Sequence, residues 1–180
     1  DQDDVWLADK IEIFLNRYRG CDPTAPICLY SDLTVVNEDL HVVCPSLFRF
    51  RRLMPCTRDE IGRLIVQNVV TGCASMINKR LKSMALPIPD AAIMHDWWIA
   101  LVAAAVGELI YIDKPTVLYR QHSRNVFGAP PYSIAANRNW GKMVLSLRNT
   151  MRQAEALAKL DGIGRAHGKV RCDDFGRSPV

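Results

Sequence analysis

No Cys-x-x-Cys pair occurs among the six cysteines, Cys21, Cys28, Cys44, Cys56, Cys73 and Cys172. That removes the usual zinc-site spacing and argues against a disulfide framework. Several of them sit inside apolar runs such as PICLY and HVVCPS, which reads as reduced, buried thiols of a cytoplasmic protein. A membrane-spanning helix is also missing: the most apolar stretch, WWIALVAAAVG at 97–107, is about half of the ~20 residues a bilayer requires. It reads as a buried helix ended by glycine. The acidic start lacks the glycine and closing glutamate of an EF-hand loop, and no internal repeat or linker divides the chain.

What is present is an ordinary globular balance, 49% hydrophobic and 23% charged over 180 residues, which is one domain's worth of chain. The formal charge is +4, and it is uneven: from Arg138 onward nine Lys/Arg face four Asp/Glu, a net +5. Such a section suits an anionic membrane surface or plain solvation. Nucleic acid is disfavoured as a partner, because the arginines there are spaced along a helix without the interleaved aromatics that stack on bases.

Strand and helix signals alternate, so the fold class is α/β in a single domain. WLADKIEIFLNRYR places Ile11, Leu15 and Tyr18 at helical spacing, with Asp9 early. APICLYSDLTVVNEDLHVV predicts two strands joined at Asn37-Glu38-Asp39. The 45–62 region reads as a loop in which Thr57 caps a short helix. LIVQNVVTG predicts a buried strand and CASMINKRLKSM a helix. ELIYIDKPTVLYRQH predicts two short strands about a Lys-Pro turn, and a long helix is expected from about Ile134 to Leu160. Residues 161–180, glycine-rich and without apolar period, are expected to be poorly ordered.

Three short motifs could carry chemistry. In the opening DQDD, side chains two apart at a strand end share a face, so Asp1 and Asp3 could hold a hard cation such as Mg²⁺ or Mn²⁺, with Asp4 adjacent. The plainer reading is a solvated acidic end. In HDWW, Asp96 stands where a loop becomes a helix and is backed by two tryptophans. It could cap that helix, or serve as a rigid, partly desolvated general base, and His95 could be an ordinary loop histidine. In LYRQH, Arg120 and His122 are two apart; the first suits phosphate and the second a divalent metal, or both are simply an exposed loop start.

Order and flanks add more. DQDDVWLADKIE, YSDLTVVNEDL, NVVTGCASMINKRL and HDWWIALVAAAVGELIYIDKPTVLYRQHSRNVFG together resemble a family 2 glycosyltransferase, in particular the rhamnosyltransferase-like enzymes of bacterial polysaccharide assembly. The resemblance runs from residue 1 to about 160. It implies a GT-A fold, a Rossmann-like domain whose D-x-D stands at the end of a central strand, between a nucleotide-binding half and an acceptor-binding half. The chain would then be a partial domain that starts at this junction, with the nucleotide-recognising half lying upstream, and 161–180 would be a basic tail.

By the same resemblance Asp3 is a metal ligand and Asp1 holds the metal–nucleotide or its ribose; Arg120, suited to phosphate, is the further cofactor-binding candidate. His122 is a further metal ligand. Asp96 falls at the position of the catalytic base in inverting members. Thr71 and Gly72 line the sugar or acceptor pocket, with His95 and Trp97 beside them. The implied partners are a nucleotide-sugar donor, with dTDP-rhamnose the candidate, and a glycan or lipid-linked acceptor, with peripheral contact at the inner membrane face. Two other readings stay open: a truncated, non-catalytic remnant of the fold, or another metal-dependent phosphate enzyme such as a nucleotidyltransferase or phosphatase.

Overall fold

The computed structural model describes residues 3–121 and 140–160, with side chains from 145 onward in the second segment. Asp1, His122, the 134–139 part of the expected long helix and the 161–180 tail lie outside the described residues.

The centre is strand β2 (Ile27–Val36), whose sequence ICLYSDLTVV is β-branched and aromatic on both alternations and is buried along almost its whole length. One edge of β2 pairs in parallel with β5 (Glu108–Arg120). Its other edge is shared by two short antiparallel strands, β3 (Val42–Cys44) on Val35 and Val36, and β4 (Ser75–Ile77) on Cys28 to Tyr30. A two-residue strand, β1 (Val5–Trp6), closes the far side of β5. The two faces of β2 and β5 carry different cores. Cys28, Tyr30 and Leu109 face helix α5 (His95–Val106), and Ile27, Leu29 and Ile110 face Phe14 of helix α1 (Lys10–Tyr18). The architecture is mixed α/β with helices on both faces, compatible with a Rossmann-like fold.

α5 is buried almost end to end, and its alanines at 100, 103, 104 and 105 let it lie close to its neighbours. The two tryptophans that open it fasten the surrounding helices. Trp97 Nε1 donates to Leu64 O at 2.6 Å, holding α3 (Ile61–Val66), and Trp98 Nε1 donates to Ala85 O at 2.9 Å, holding α4 (Lys79–Ala85). Two more helices complete the set, α2 (Leu47–Arg51) and α6 (Trp140–Ala158). On α6, the fully buried Gln153 accepts from Ile93 N at 2.8 Å, tying this helix to the segment that leads into His95 and Asp96. Among the described residues no helix is long and apolar enough to cross a membrane.

Several sequence expectations meet the structure directly. The two strands about Asn37 form, and the Asn37 side chain closes the turn by accepting from Asp39 N and His41 N. Thr57 N donates to Glu60 at 2.9 Å, capping a short 3-10 turn that runs into α3. WWIALVAAAVG is a buried helix that stops at Gly107. The five cysteines within the described residues are free thiols.

Four expectations are corrected. LIVQNVVTG is not a strand: its first part lies in α3, and Asn68 then turns the chain by accepting from Val70 N. An apolar run of this length fits a helix packed on one side as well as a strand, and Val66 is 67% exposed here. CASMINKRLKSM splits into a 3-10 turn, strand β4 and α4, because Asn78 caps α4 by accepting from Leu81 N. Lys114–Pro115 makes no turn; β5 is one strand that bulges opposite Ser31 and Asp32. Helix α2 was not foreseen in the 45–62 loop; Ser46 and the buried Asp32 carboxylate satisfy its first amides.

Among the described glycines, Gly107 makes the tightest approach. A Cβ there would lie 2.0 Å from Pro26 O, and the next residue, Glu108, donates its N–H to that same carbonyl at 2.8 Å. Gly107→Ala is therefore expected to destabilise the chain by about 1–3 kcal/mol or more, read as a lower midpoint in urea unfolding with an unchanged slope.

Candidate active site

The site is built from three segments that the sheet brings together: the acidic start before β1, the 3-10 turn Gly72–Ala74, and the first turn of α5. Asp96 is its centre. Met94, not Asp96, occupies the cap position of α5, so Asp96 is not the N-cap; it lies inside the helix, in its first turn. Its carboxylate is 7% exposed and fully engaged in orientation. Oδ1 accepts from Trp97 N at 2.7 Å and from Asn68 Nδ2 at 3.2 Å, and Oδ2 accepts from Gly72 N at 3.0 Å. A carboxylate oxygen has two acceptor positions. Oδ1 uses both, whereas among the described residues Oδ2 accepts from Gly72 N alone.

Gly72 is small for a reason visible in the geometry. A Cβ placed on it would lie 3.2 Å from the imidazole Nε2 of His95 and 3.6 Å from Asp96 Oδ2. Thr71 begins the turn and is half-buried, and His95 is exposed above it. Gly72, His95 and Asp96 thus share one patch with Thr71 at its edge. Trp97 is different: 8% exposed, its indole bonded to Leu64, it supports Asp96 from within the core and does not line an open surface.

The acidic start reaches the same turn through Cys73. The Asp4 carboxylate acts electrostatically on the Cys73 thiol, and burial together with that neighbouring charge pushes the thiol up to about 12. Asp4 also accepts from Arg120 N at 3.1 Å. The Arg120 guanidinium then clamps two chain segments, donating from Nε to Asp3 O at 3.0 Å and from Nη1 to Glu38 O. Arg120 therefore fixes the backbone that carries Asp3. Asp3 is half-buried beside it, and Asp1 and His122 fall outside the described residues. Among the described residues no group of three His, Cys, Asp or Glu side chains forms a ready metal cluster.

Three functional side chains escaped sequence reasoning. Asn68 was hidden in an apolar run, where a lone amide was the available signal. Cys73 was read only as a buried thiol. Lys10 had no signal at all: it occupies the first position of α1 and is 3% exposed, its Nζ donating to Cys73 O and standing 3.7 Å from the Trp6 ring centroid. Burial pulls its ammonium below the ordinary lysine range, opposed in part by the nearby Asp4 charge.

No family model matches the chain. Over 139 residues, 72% of its length, it is 27% identical to a Shigella flexneri protein described as "dTDP-rhamnosyl transferase RfbG". The chain spans 44% of that protein, less than half of the relative it matches. The relationship is distant, and it is to a glycosyltransferase. At that coarse level the chain is transferase-like, in agreement with the segments quoted above.

Burial and the Asp96 charge also push the Cys28 thiol up to about 12. Cys28 and Cys73 should therefore carry on the order of 10³-fold less thiolate at pH 8 than an ordinary cysteine. Native labelling with iodoacetamide, mapped by mass spectrometry, is expected to leave both unmodified, with both labelled after unfolding.

Proposed function

We propose that the chain is the acceptor-side portion of an inverting glycosyltransferase of the GT-A kind. It would move a sugar, with rhamnose the candidate, from a nucleoside-diphosphate sugar to a hydroxyl of a glycan or lipid-linked acceptor in bacterial polysaccharide synthesis. The observation that carries this reading is the Asp96 carboxylate, oriented by three N–H donors and connected through Gly72 and Cys73 to the acidic start. The distant likeness to a described rhamnosyl transferase supports it.

In this reading Asp96 Oδ2 takes the proton of the acceptor hydroxyl as its oxygen attacks the anomeric carbon. The new glycosidic C–O bond forms on one face of the ring. The C–O bond to the diphosphate breaks on the other, so configuration inverts and the nucleoside diphosphate departs with the electron pair. Fixing the carboxylate plane beforehand keeps the base within reach of one direction of attack, which is where orientation lowers the barrier. Gly72, lacking a side chain, leaves room for a ring next to Oδ2, and Thr71 and His95 supply polar contacts at the rim.

The carboxylates of the acidic start are hard oxygen donors, the donor chemistry that suits Mg²⁺ or Mn²⁺. Asp1, Asp3 and His122 are the residues that would hold such an ion. When bound, it supplies positive charge at the pyrophosphate. Arg120 contributes by holding the Asp3 backbone, and Asp4 by tying that segment to Arg120 and Cys73.

In an enzyme that carries both the donor-binding and the acceptor-binding halves, Asp96→Asn is expected to lower kcat by ~10²–10⁴-fold while leaving donor affinity unchanged, measured by transfer from labelled nucleotide-sugar and by calorimetric donor binding. The asparagine must turn its NH2 toward one of the three N–H donors, so the variant's unfolding midpoint is measured alongside. Normal turnover in the variant would remove Asp96 from the mechanism. Donor binding without transfer in the wild-type protein would favour a non-catalytic remnant.

A further inference from the structure

We propose that Lys10 is a positioning residue for Asp96: its buried ammonium holds the Cys73 carbonyl and thereby fixes the turn whose Gly72 N–H orients the carboxylate. As regards catalysis, the inference rests on the glycosyltransferase reading above. The geometry itself does not.

Lys10 is an expensive choice for this place. It stands at the first position of α1, where the helix dipole presents its positive end to a cation. It is 3% exposed, and lysines are almost never fully buried without a partner. An apolar side chain of similar length would fill the space between Trp6, Phe14 and the turn without either cost. The lysine is compensated by four groups at once. The Cys73 carbonyl accepts from Nζ, the Trp6 face lies 3.7 Å away and the Phe14 ring 5.9 Å away. The Asp4 charge acts on both the ammonium and the Cys73 thiol.

These compensations come from both halves of the site. Trp6 and Asp4 belong to the acidic start and β1. Cys73 belongs to the turn whose preceding residue, Gly72, donates to Asp96 Oδ2 at 3.0 Å. From Lys10 the path to the carboxylate is one hydrogen bond, one peptide and a second hydrogen bond. Neither the Gly72 turn nor β1 is long enough to be rigid alone: one is a single 3-10 turn and the other a two-residue strand. The ammonium sets the distance between them, and so the distance between the acidic segment and the base.

The test uses the full chain with Lys10→Met, which keeps the stem and removes the charge and its N–H donors. Amide hydrogen exchange at Gly72 is followed by NMR together with Leu29 in β2 and Leu101 in α5. The expected result is Gly72 exchange about tenfold faster or more, with Leu29 and Leu101 unchanged, and a fall in kcat at constant donor KM. Lys10→Arg, which retains a cation and donors, is expected to restore much of the Gly72 protection. Unchanged Gly72 exchange overturns the proposal, and so does faster exchange at all three amides in step, which would mark a merely structural role. Should Lys10→Met fail to fold, Trp6→Leu at a ring 57% exposed removes the cation–π contact alone. Faster exchange confined to Gly72 then supports the proposal, and no change refutes it. An enzyme carrying both the donor-binding and acceptor-binding halves that transfers no sugar would overturn the glycosyltransferase reading and leave the exchange test of Lys10 standing.

Discussion

The parallel pairing of β2 with β5 is the constraint on which the rest of the structure depends. Parallel neighbours cannot be joined by a tight turn, so the chain between them must leave the sheet and return. Here it leaves through β3, β4 and the helices α2, α3 and α4, and comes back through α5. The return is fixed at one point, where Gly107 passes against Pro26 and Glu108 bonds its carbonyl. That contact aligns Ile27 with Glu108 and sets the register of the pair as far as Ser31 and Ile112. It also sets where α5 begins relative to the sheet, and hence where Asp96 stands. The candidate site is therefore positioned by backbone geometry at the opposite end of α5 from Asp96.

A second consequence of the same pairing is that the site's parts come from distant places in the chain but from adjacent places in the sheet. β1 pairs with the last part of β5, bringing the acidic start to Arg120. β4 pairs with the first part of β2, and the turn just before it carries Gly72 and Cys73. The turn and the acidic start meet at Lys10 and Asp4. The polar groups involved are half-buried or buried and partnered, as they must be where water is excluded.

Much of the candidate site was legible in the sequence because its residues lay in short motifs at the ends of elements. HDWW announced a helix start with a carboxylate, and the helix was apolar enough to be recognised as buried. The β2–β3 pair was readable from its turn residues. The failures share a cause, which is that the burying face was set by neighbours. In α1 the periodic Ile11 and Leu15 are 49% and 44% exposed, while Lys10 and Phe14 turn inward. Periodicity cannot reveal a lysine whose partners are a carbonyl and a ring from other segments. Nor could it distinguish α3 from a strand, since the indole of Trp97 that fastens Leu64 lies 33 residues further along.

The bulge in β5 has a meaning beyond irregularity. Up to Ser31 and Ile112 the two strands advance together; by Thr34 and Leu118, β5 has used three more residues than β2. Three is an odd number, and side chains in a strand alternate between faces. The bulge is thus a phase shifter: it lets one continuous strand present its first half to one arrangement of core and its second half in inverted step. Arg120 reaches the Asp3 carbonyl in that shifted phase. A homologue that kept every residue of the acidic start and of Arg120, but lengthened or shortened residues 113–115 by one, would have the same motifs and a different site.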